Sequence, residues 1–293
     1  MTQRAQPGPT DPITDPLPSA APLGDVPGHV HRAVPYAVRQ GYRPLQLDLY
    51  LPHDRSRPAP VVLFLHGGGW RLGSRSMFCP TWSDWRPSPF QRLVAEGFAV
   101  ASIDYRLSGE ATFPAQLEDC SAALAWLTTR GDEAGADPTR LVVWGESAGG
   151  HLAALLGLTA PESHRGQVSG VVDWYGPADL NTLHSQAGAD PEDLDTREAR
   201  LLGAPPAQAP ELARVASPLT YVRPGAPPFH IAHGLADRFV PVEQSRQLAK
   251  ALEAAGVATE LELVPGADHM WREAPDPEAI FRRAVDFVRR VTG

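Results

Sequence analysis

Residues 141–156 read LVVWGESAGGHLAALL, and this stretch decides the fold. It begins with a continuous apolar run, which is typical of a strand covered on both faces of a sheet. It ends with a second apolar run, which fits a buried helix. Between the two runs stands Gly-x-Ser-x-Gly, with Ser147 at its centre. The stretch therefore predicts a strand, a sharp turn and a helix in direct succession, which is the context in which this motif exposes a reactive serine.

Ser147 is the candidate nucleophile. The flanking Gly145 and Gly149 let neighbouring backbone approach closely, while the turn holds the serine in a strained conformation. The first backbone N–H groups of the following helix favour a developing negative charge. A bare Gly-x-Ser-x-Gly is common by chance and would then be a structural turn. The flanking strand and helix, together with the motifs described below, favour catalysis.

Outward from this stretch, the chain alternates strand and helix patterns. Strands are predicted over residues 33–38, 45–51, 60–65, 98–103, 141–144, 168–175, 229–232 and 259–264, and helices from Pro114 onward and over 147–158, 242–255 and 277–291. The alternation predicts an α/β fold with a mostly parallel central sheet flanked by helices on both faces. The first two strands are predicted to pair as an antiparallel edge. Ligands of such sheets bind at the carboxyl ends of the strands, where the motifs fall.

The chain divides into a tail and one domain. Residues 1–28 are rich in Pro, Ala, Asp and Gly, and predict a flexible N-terminal tail. Residues 29–293 are predicted to form the single catalytic domain that carries the motifs. Residues 71–89 and 176–228 do not follow the strand–helix alternation. They are predicted either as lid segments over a pocket or as loops that merely cover the sheet edge.

Composition excludes several classes of partner. The 293 residues are 43% hydrophobic, which suffices for one large core, and carry a net charge of −8. Because phosphate binding needs clustered Lys and Arg, we expect no nucleic-acid partner and no anionic membrane surface. Neither a secretory signal nor an apolar run long enough to span a bilayer is visible, so a cytoplasmic location is expected. The sequence leaves the oligomeric state open, as monomer or dimer.

Two cysteines, Cys79 and Cys120, are too few for a disulfide framework. The sequence does not decide whether they pair. Cys120 falls in a predicted amphipathic helix, which favours a buried free thiol.

A glycine run follows the strand predicted over 60–65. The sequence HGGGW spans residues 66–70, and glycines there expose backbone N–H groups without side chains in the way. Gly68 and Gly69 are predicted to point donors at a substrate carbonyl oxygen, with the Ala148 N–H completing an oxyanion hole. The alternative is a flexible glycine-rich turn. A phosphate-binding loop is disfavoured, because no Gly-Lys-Ser/Thr ending is present.

His269 and Asp237 complete the predicted catalytic set. The chain order of this arrangement is Ser, then Asp or Glu, then His. His269 follows the last predicted strand and is the only histidine after His233. His66 precedes the nucleophile, so it is expected to hold the glycine loop instead. Asp237 follows a predicted strand and would orient His269.

Asp173 is the rival acid, since it lies near the end of the preceding predicted strand. Asp268 neighbours the base, and adjacent side chains point apart. We therefore predict Asp237 as the acid.

With Asp104-Tyr105-Arg106, these motifs resemble the α/β-hydrolase superfamily, in the esterase and lipase branch with an HGGG-type loop. They are similar to the hormone-sensitive-lipase-like group and to the feruloyl and acetyl-xylan esterase group, over residues 45–291. The resemblance implies a serine carboxylesterase for short-chain or aryl acyl esters, with no metal or cofactor and a small-molecule partner. It implies that Asp104 and Arg106 hold the active-site loops. The sequence predicts no long N-terminal helical cap of the hormone-sensitive-lipase kind, and we therefore do not expect bulky lipid substrates.

Substrate contacts are predicted from aromatic and apolar residues near these motifs. Trp70, Phe239 and Met270 are the candidate substrate-binding residues, and Trp82 and Trp85 are further candidates for the pocket or the core. Three other functions remain open at this point. They are a kynurenine-formamidase-like amide or formamide hydrolase, a peptidase, and a non-catalytic binding protein on a hydrolase scaffold.

Overall fold

The computed structural model describes residues 13 and 15–293, apart from residues 55, 161–167 and 191. Within this part of the chain, nine strands form one sheet in the order β1-β2-β3-β5-β4-β6-β7-β8-β9. The strands are β1 (Ala20–Pro22), β2 (Gly28–Ala37), β3 (Leu45–Pro52), β4 (Ala59–Leu65), β5 (Ala99–Ile103), β6 (Ala136–Glu146), β7 (Val168–Trp174), β8 (Phe229–Gly234) and β9 (Thr259–Val264).

The sheet is antiparallel at one edge and parallel elsewhere. The pairs β1–β2, β2–β3 and β3–β5 run antiparallel. All pairs from β5–β4 through β8–β9 run parallel. The predicted fold class is confirmed, as is the antiparallel pairing of the first two predicted strands. The carboxyl ends of β4, β6, β7, β8 and β9 consequently meet along one rim of the sheet.

Helices cover both faces of the sheet. In the described residues they are α1 (Pro89–Ala95), α2 (Ala115–Ala134), α3 (Ala148–Thr159), α4 (Leu183–Ala187), α5 (Arg197–Leu202), α6 (Pro210–Val215), α7 (Glu243–Ala254) and α8 (Pro277–Thr292). Apolar side chains of α2, α3 and α7 form one core cluster, and those of α1 and α8 form the other. Strand β4 serves both clusters, because Val61, Leu63 and Leu65 enter the first and Val62 and Phe64 the second.

The predicted tail needs a correction. Residues 1–12 and 14 of the range 1–28 lie outside the described part of the chain. Ala20–Pro22, however, forms strand β1 and pairs with β2, and Gly28 already begins β2. The strand escapes sequence analysis because its three residues are all exposed and leave no burial pattern.

The two segments outside the strand–helix alternation both reach the sheet's carboxyl rim. In residues 71–89, Phe78, Cys79 and Trp82 are buried in the core cluster of α1 and α8. Residues 176–228 contain helices α4, α5 and α6. Both segments contribute side chains to the pocket described below.

Both cysteines, Cys79 and Cys120, are buried free thiols, as predicted for Cys120. Among the described residues, none of the helices combines the length and apolar character that crossing a bilayer requires.

Candidate active site

Ser147 stands on a strained turn between β6 and α3. Its backbone has φ 53° and ψ −120°, outside the usual regions for a residue with a side chain. The Ser147 N–H donates to Trp174 O at the end of β7, at 2.8 Å. The turn is tight enough that a Cβ at Gly145 would lie 2.0 Å from Gly149 O. The turn thus holds the Ser147 hydroxyl at the carboxyl rim of the sheet.

Ser147, His269 and Asp237 are connected by a chain of two hydrogen bonds. The His269 Nε2 atom is 3.0 Å from Ser147 Oγ. The His269 Nδ1 atom is 2.7 Å from Asp237 Oδ2. His269 follows β9 and Asp237 follows β8, so adjacent parallel strands bring them together. The structure therefore assembles the three residues that the sequence predicted as nucleophile, base and acid.

The Asp237 carboxylate is held from several sides. Its Oδ1 accepts hydrogen bonds from the backbone N–H groups of Phe239, at 2.8 Å, and Val240, at 2.9 Å. His233 approaches Oδ2 at 3.3 Å. Burial by itself raises the pKa of Asp237, but the hydrogen bonds from His233 and His269 outweigh it and leave the pKa well below its ordinary value. Asp237 is consequently ionised near neutral pH and can stabilise a protonated His269.

The rival acid, Asp173, does not contact His269 in the described part of the chain. Its Oδ1 accepts a hydrogen bond from the Gly176 N–H at 2.9 Å, and its Oδ2 has no partner among the described residues. Burial raises the pKa of Asp173 to about 6. Asp173 therefore supports the backbone behind the site.

Asp268 has a positioning role that sequence analysis missed. Its Oδ1 accepts from the His269 N–H at 2.7 Å, and its Oδ2 binds Arg238 Nε at 2.7 Å. This pair ties the loop of His269 to the loop of Asp237. The position of Asp268 directly before the base His269 was the sequence feature that could have indicated this role.

The glycine loop presents free donors to the same place. Gly68 and Gly69 have φ values of +105° and +60°, in the left-handed region that favours glycine. Neither of their N–H groups has an acceptor among the described residues. The Ala148 N–H is likewise free there, because Ala148 begins α3 and lacks an acceptor within the helix. All three residues line the pocket with Ser147.

His66 lies beneath this loop, as expected of a residue that holds it. Its Nδ1 is 2.7 Å from Gly67 O, and its ring stacks on Tyr105 with 4.3 Å between centroids. Burial lowers the pKa of His66 to about 4, so the ring is neutral at pH 7.

Glu146 is a second residue that sequence analysis missed. Its carboxyl is buried beside the nucleophile, where it accepts from the Tyr175 hydroxyl at 2.7 Å and from the Gly67 N–H at 3.3 Å. Burial raises the pKa of Glu146 to about 7, against the opposing effect of these hydrogen bonds. An acidic residue just after the apolar run 141–144, and next to Ser147, was the signal.

Asp104 contacts the segment that follows the glycine loop, as the resemblance implies, whereas Arg106 binds helix α2. Asp104 Oδ1 accepts from the Arg75 N–H at 2.8 Å, which ties down the segment after the glycine loop. Arg106 binds both carboxylate oxygens of Asp119 on α2, each at 2.8 Å.

A pocket of about 190 Å³ opens over Ser147 and His269. Trp70, Phe239 and Met270, the predicted substrate contacts, all line it. Trp82 and Trp85 do not line it, because they stack on each other within the aromatic cluster around Phe281. The remaining wall comes from Gly68, Gly69, Leu72, Met77, Pro80, Glu146, Ala148, Pro177, Arg197, Glu198 and Val240. The wall is mostly apolar and its volume suits a small substrate.

Comparison with known proteins finds a matching family model and several esterases of similar sequence. The BD-FAE family model matches residues 47–252. Esterase LipC of Mycobacterium tuberculosis is 36% identical over 254 residues, which are 82% of this chain and 60% of LipC. Carboxylesterase NlhH of the same organism is 31% identical over 78% of this chain and 72% of its own length.

Among solved structures, a truncated form of a carbohydrate esterase from gut microbiota superposes with a TM-score of 0.79. It is 28% identical and covers 92% of this chain and 99% of its own. The chain spans 44% to 60% of the length of three curated relatives that it matches, LipC, LipQ and LipM.

Proposed function

The chain belongs to the BD-FAE family, within the esterase and lipase branch of the α/β hydrolases. From this premise we propose that it is a serine carboxylesterase that hydrolyses short-chain or aryl acyl esters. The observation that carries the proposal is the hydrogen-bonded sequence Ser147–His269–Asp237, with distances of 3.0 Å and 2.7 Å. The mostly apolar wall and the volume of about 190 Å³ support substrates of modest size.

The proposed reaction has two stages. Ser147 Oγ attacks the ester carbonyl carbon while His269 Nε2 takes its proton, and Asp237 stabilises the resulting imidazolium. The free N–H groups of Gly68, Gly69 and Ala148 bind the oxyanion. His269 then donates the proton to the leaving alcohol, which leaves an acyl group on Ser147. A water molecule, deprotonated by His269 Nε2, attacks this acyl group. His269 then returns the proton to Ser147 Oγ as the bond to the acyl group breaks and the carboxylic acid leaves.

Labelling and substitution of Ser147 test the proposal. A fluorophosphonate should modify the wild-type protein at Ser147, and the modified peptide should be identifiable by mass spectrometry. Ser147→Ala should abolish labelling and lower kcat by about 10⁴-fold or more. A Ser147→Ala protein that retained near-wild-type hydrolysis would contradict the proposal.

A substrate series tests the acyl preference. p-Nitrophenyl esters of increasing chain length should be hydrolysed best at the short end, because the pocket is small. Methyl ferulate adds an aryl acyl group, and acetylated xylan is included because a carbohydrate esterase has the same fold. Faster hydrolysis of N-formylkynurenine than of every ester would replace the proposal with a formamidase.

A further inference from the structure

Arg197 lies at the mouth of the pocket and has no part in the mechanism above. It is the first residue of α5, in the segment 176–228 that interrupts the strand–helix alternation. Its side chain is exposed and forms part of the wall around Ser147 and His269. A ligand entering the pocket therefore passes this guanidinium.

The Arg197 side chain crosses the mouth from one catalytic loop to another. A Cβ built at Gly69 would lie 2.5 Å from Arg197 Cδ, so the arginine stem packs on the glycine loop. The guanidinium carbon is 4.9 Å from the centroid of the Phe239 ring. That ring lies 5.4 Å from the ring of His269. The positive charge is thus held at the pocket mouth, separated from the catalytic His269 by the Phe239 ring.

This charge has no anionic partner in the described part of the chain, where Arg197 forms no ion pair and donates no hydrogen bond. The neighbouring Glu198 instead faces His184, with 3.6 Å between Oε2 and Nε2. By contrast, Arg75, Arg106 and Arg238 around the site each bind an aspartate. The face of the Phe239 ring attracts the guanidinium cation. It cannot, however, accept forked hydrogen bonds from the five N–H donors of Arg197.

We propose that Arg197 binds a carboxylate carried by the substrate, so that the protein prefers esters with an anionic group at a distance from the scissile bond. The inference rests on the proposed esterase function and narrows its substrate class. A planar guanidinium matches a carboxylate with two parallel hydrogen bonds. The same chemistry serves a carboxylate on the acyl chain or on the alcohol.

Matched ester pairs test the inference. On the acyl side, p-nitrophenyl adipate monoester is compared with neutral p-nitrophenyl hexanoate. On the alcohol side, 4-acetoxybenzoate is compared with its methyl ester. The measured quantity is the ratio of kcat/KM for the anionic ester to that for the neutral ester, in wild type, Arg197→Gln, Arg197→Lys and Arg200→Gln. Arg200 is the control, since it lies on the same helix and pairs with Asp195 at 2.8 Å.

The ratio should fall roughly 10-fold in Arg197→Gln for at least one pair, the size expected for one charge-assisted contact. Arg197→Lys should retain part of the ratio, because it keeps the charge and loses the fork. Arg200→Gln should leave the ratio unchanged. An unchanged ratio in Arg197→Gln, or an equal loss on both members of each pair, would overturn the inference and leave Arg197 a structural residue. The pair that responds identifies the side that carries the carboxylate.

Binding separates this inference from the esterase proposal. Failure of the wild type on the neutral esters would count against the esterase proposal alone. The Ser147→Ala protein is therefore titrated calorimetrically with 4-acetoxybenzoate and with p-nitrophenyl adipate monoester, with and without Arg197→Gln. Weaker binding by roughly 10-fold on loss of Arg197 supports the carboxylate subsite, and equal affinity contradicts it.

Discussion

The Tyr175 hydroxyl donates a 2.7 Å hydrogen bond to the Glu146 carboxyl directly beneath the glycine loop. The other carboxyl oxygen accepts from the Gly67 N–H, so a buried acid joins the loop to the end of β7. Because burial raises the pKa of Glu146 from 4.5 to about 7, the folded protein binds more protons at this site than the unfolded chain between those pH values. This site's contribution to the free energy of unfolding therefore falls as pH rises through that interval, and stays low above it.

Glu146→Gln removes this titration. We expect the free energy of unfolding of the variant, minus that of wild type, to increase from pH 5 to pH 8 by on the order of 3 kcal/mol. Urea unfolding at four pH values across this range measures the difference. Glu253→Gln, at an exposed position of α7, is the control for loss of a carboxylate in general. A difference that stays constant with pH for Glu146→Gln would show that Glu146 does not titrate in this range.

Asp237→Asn and Asp173→Asn distinguish the two candidate acids. Asp237→Asn removes the carboxylate that faces His269 Nδ1 at 2.7 Å and should lower kcat about 10⁴-fold, because the imidazole loses its orientation and its counter-charge. Asp173→Asn keeps that contact and should lower kcat by less than about 10-fold. Both are measured with p-nitrophenyl acetate, after thermal unfolding has shown that each variant is folded. The reverse order of effects would make Asp173 the acid.

The grouping of Ser147, His269 and Asp237 could be predicted because parallel strands end at one rim of the sheet, and chain order then leaves few candidates. The contacts of Arg197 with Gly69 and Phe239 could not be predicted, because they depend on how an irregular segment packs against the rest of the protein. The same limit applies to Trp82, because an aromatic residue in such a segment suits a pocket wall and a core equally well.

Cys79 and Cys120 should be unreactive in the folded protein. Burial raises the pKa of Cys79 to about 12 and that of Cys120 well above its ordinary value. At pH 8 only about one Cys79 thiol in ten thousand is then a thiolate, the form that attacks a disulfide reagent. Ellman's reagent should detect almost no thiol in the native protein and two per chain in 6 M guanidinium chloride, which serves as the control. Rapid reaction of one thiol under native conditions would contradict the burial of Cys79 or Cys120.

Gly149→Ala tests whether the nucleophile turn depends on close backbone approach. A Cβ at Gly149 would lie 2.0 Å from Leu65 O and 2.6 Å from His66 O, so strand β4 and the glycine loop would have to move away from α3. We expect a loss of stability of about 3 kcal/mol or more, or failure to fold. Gly109→Ala is the matched control, because its Cβ would meet nothing within 4 Å and should change stability by less than about 0.5 kcal/mol. Chemical unfolding and the soluble yield of the two variants measure the effect. Equal stability of Gly149→Ala and Gly109→Ala would mean that the turn is looser than the contact between Gly149 and Leu65 requires.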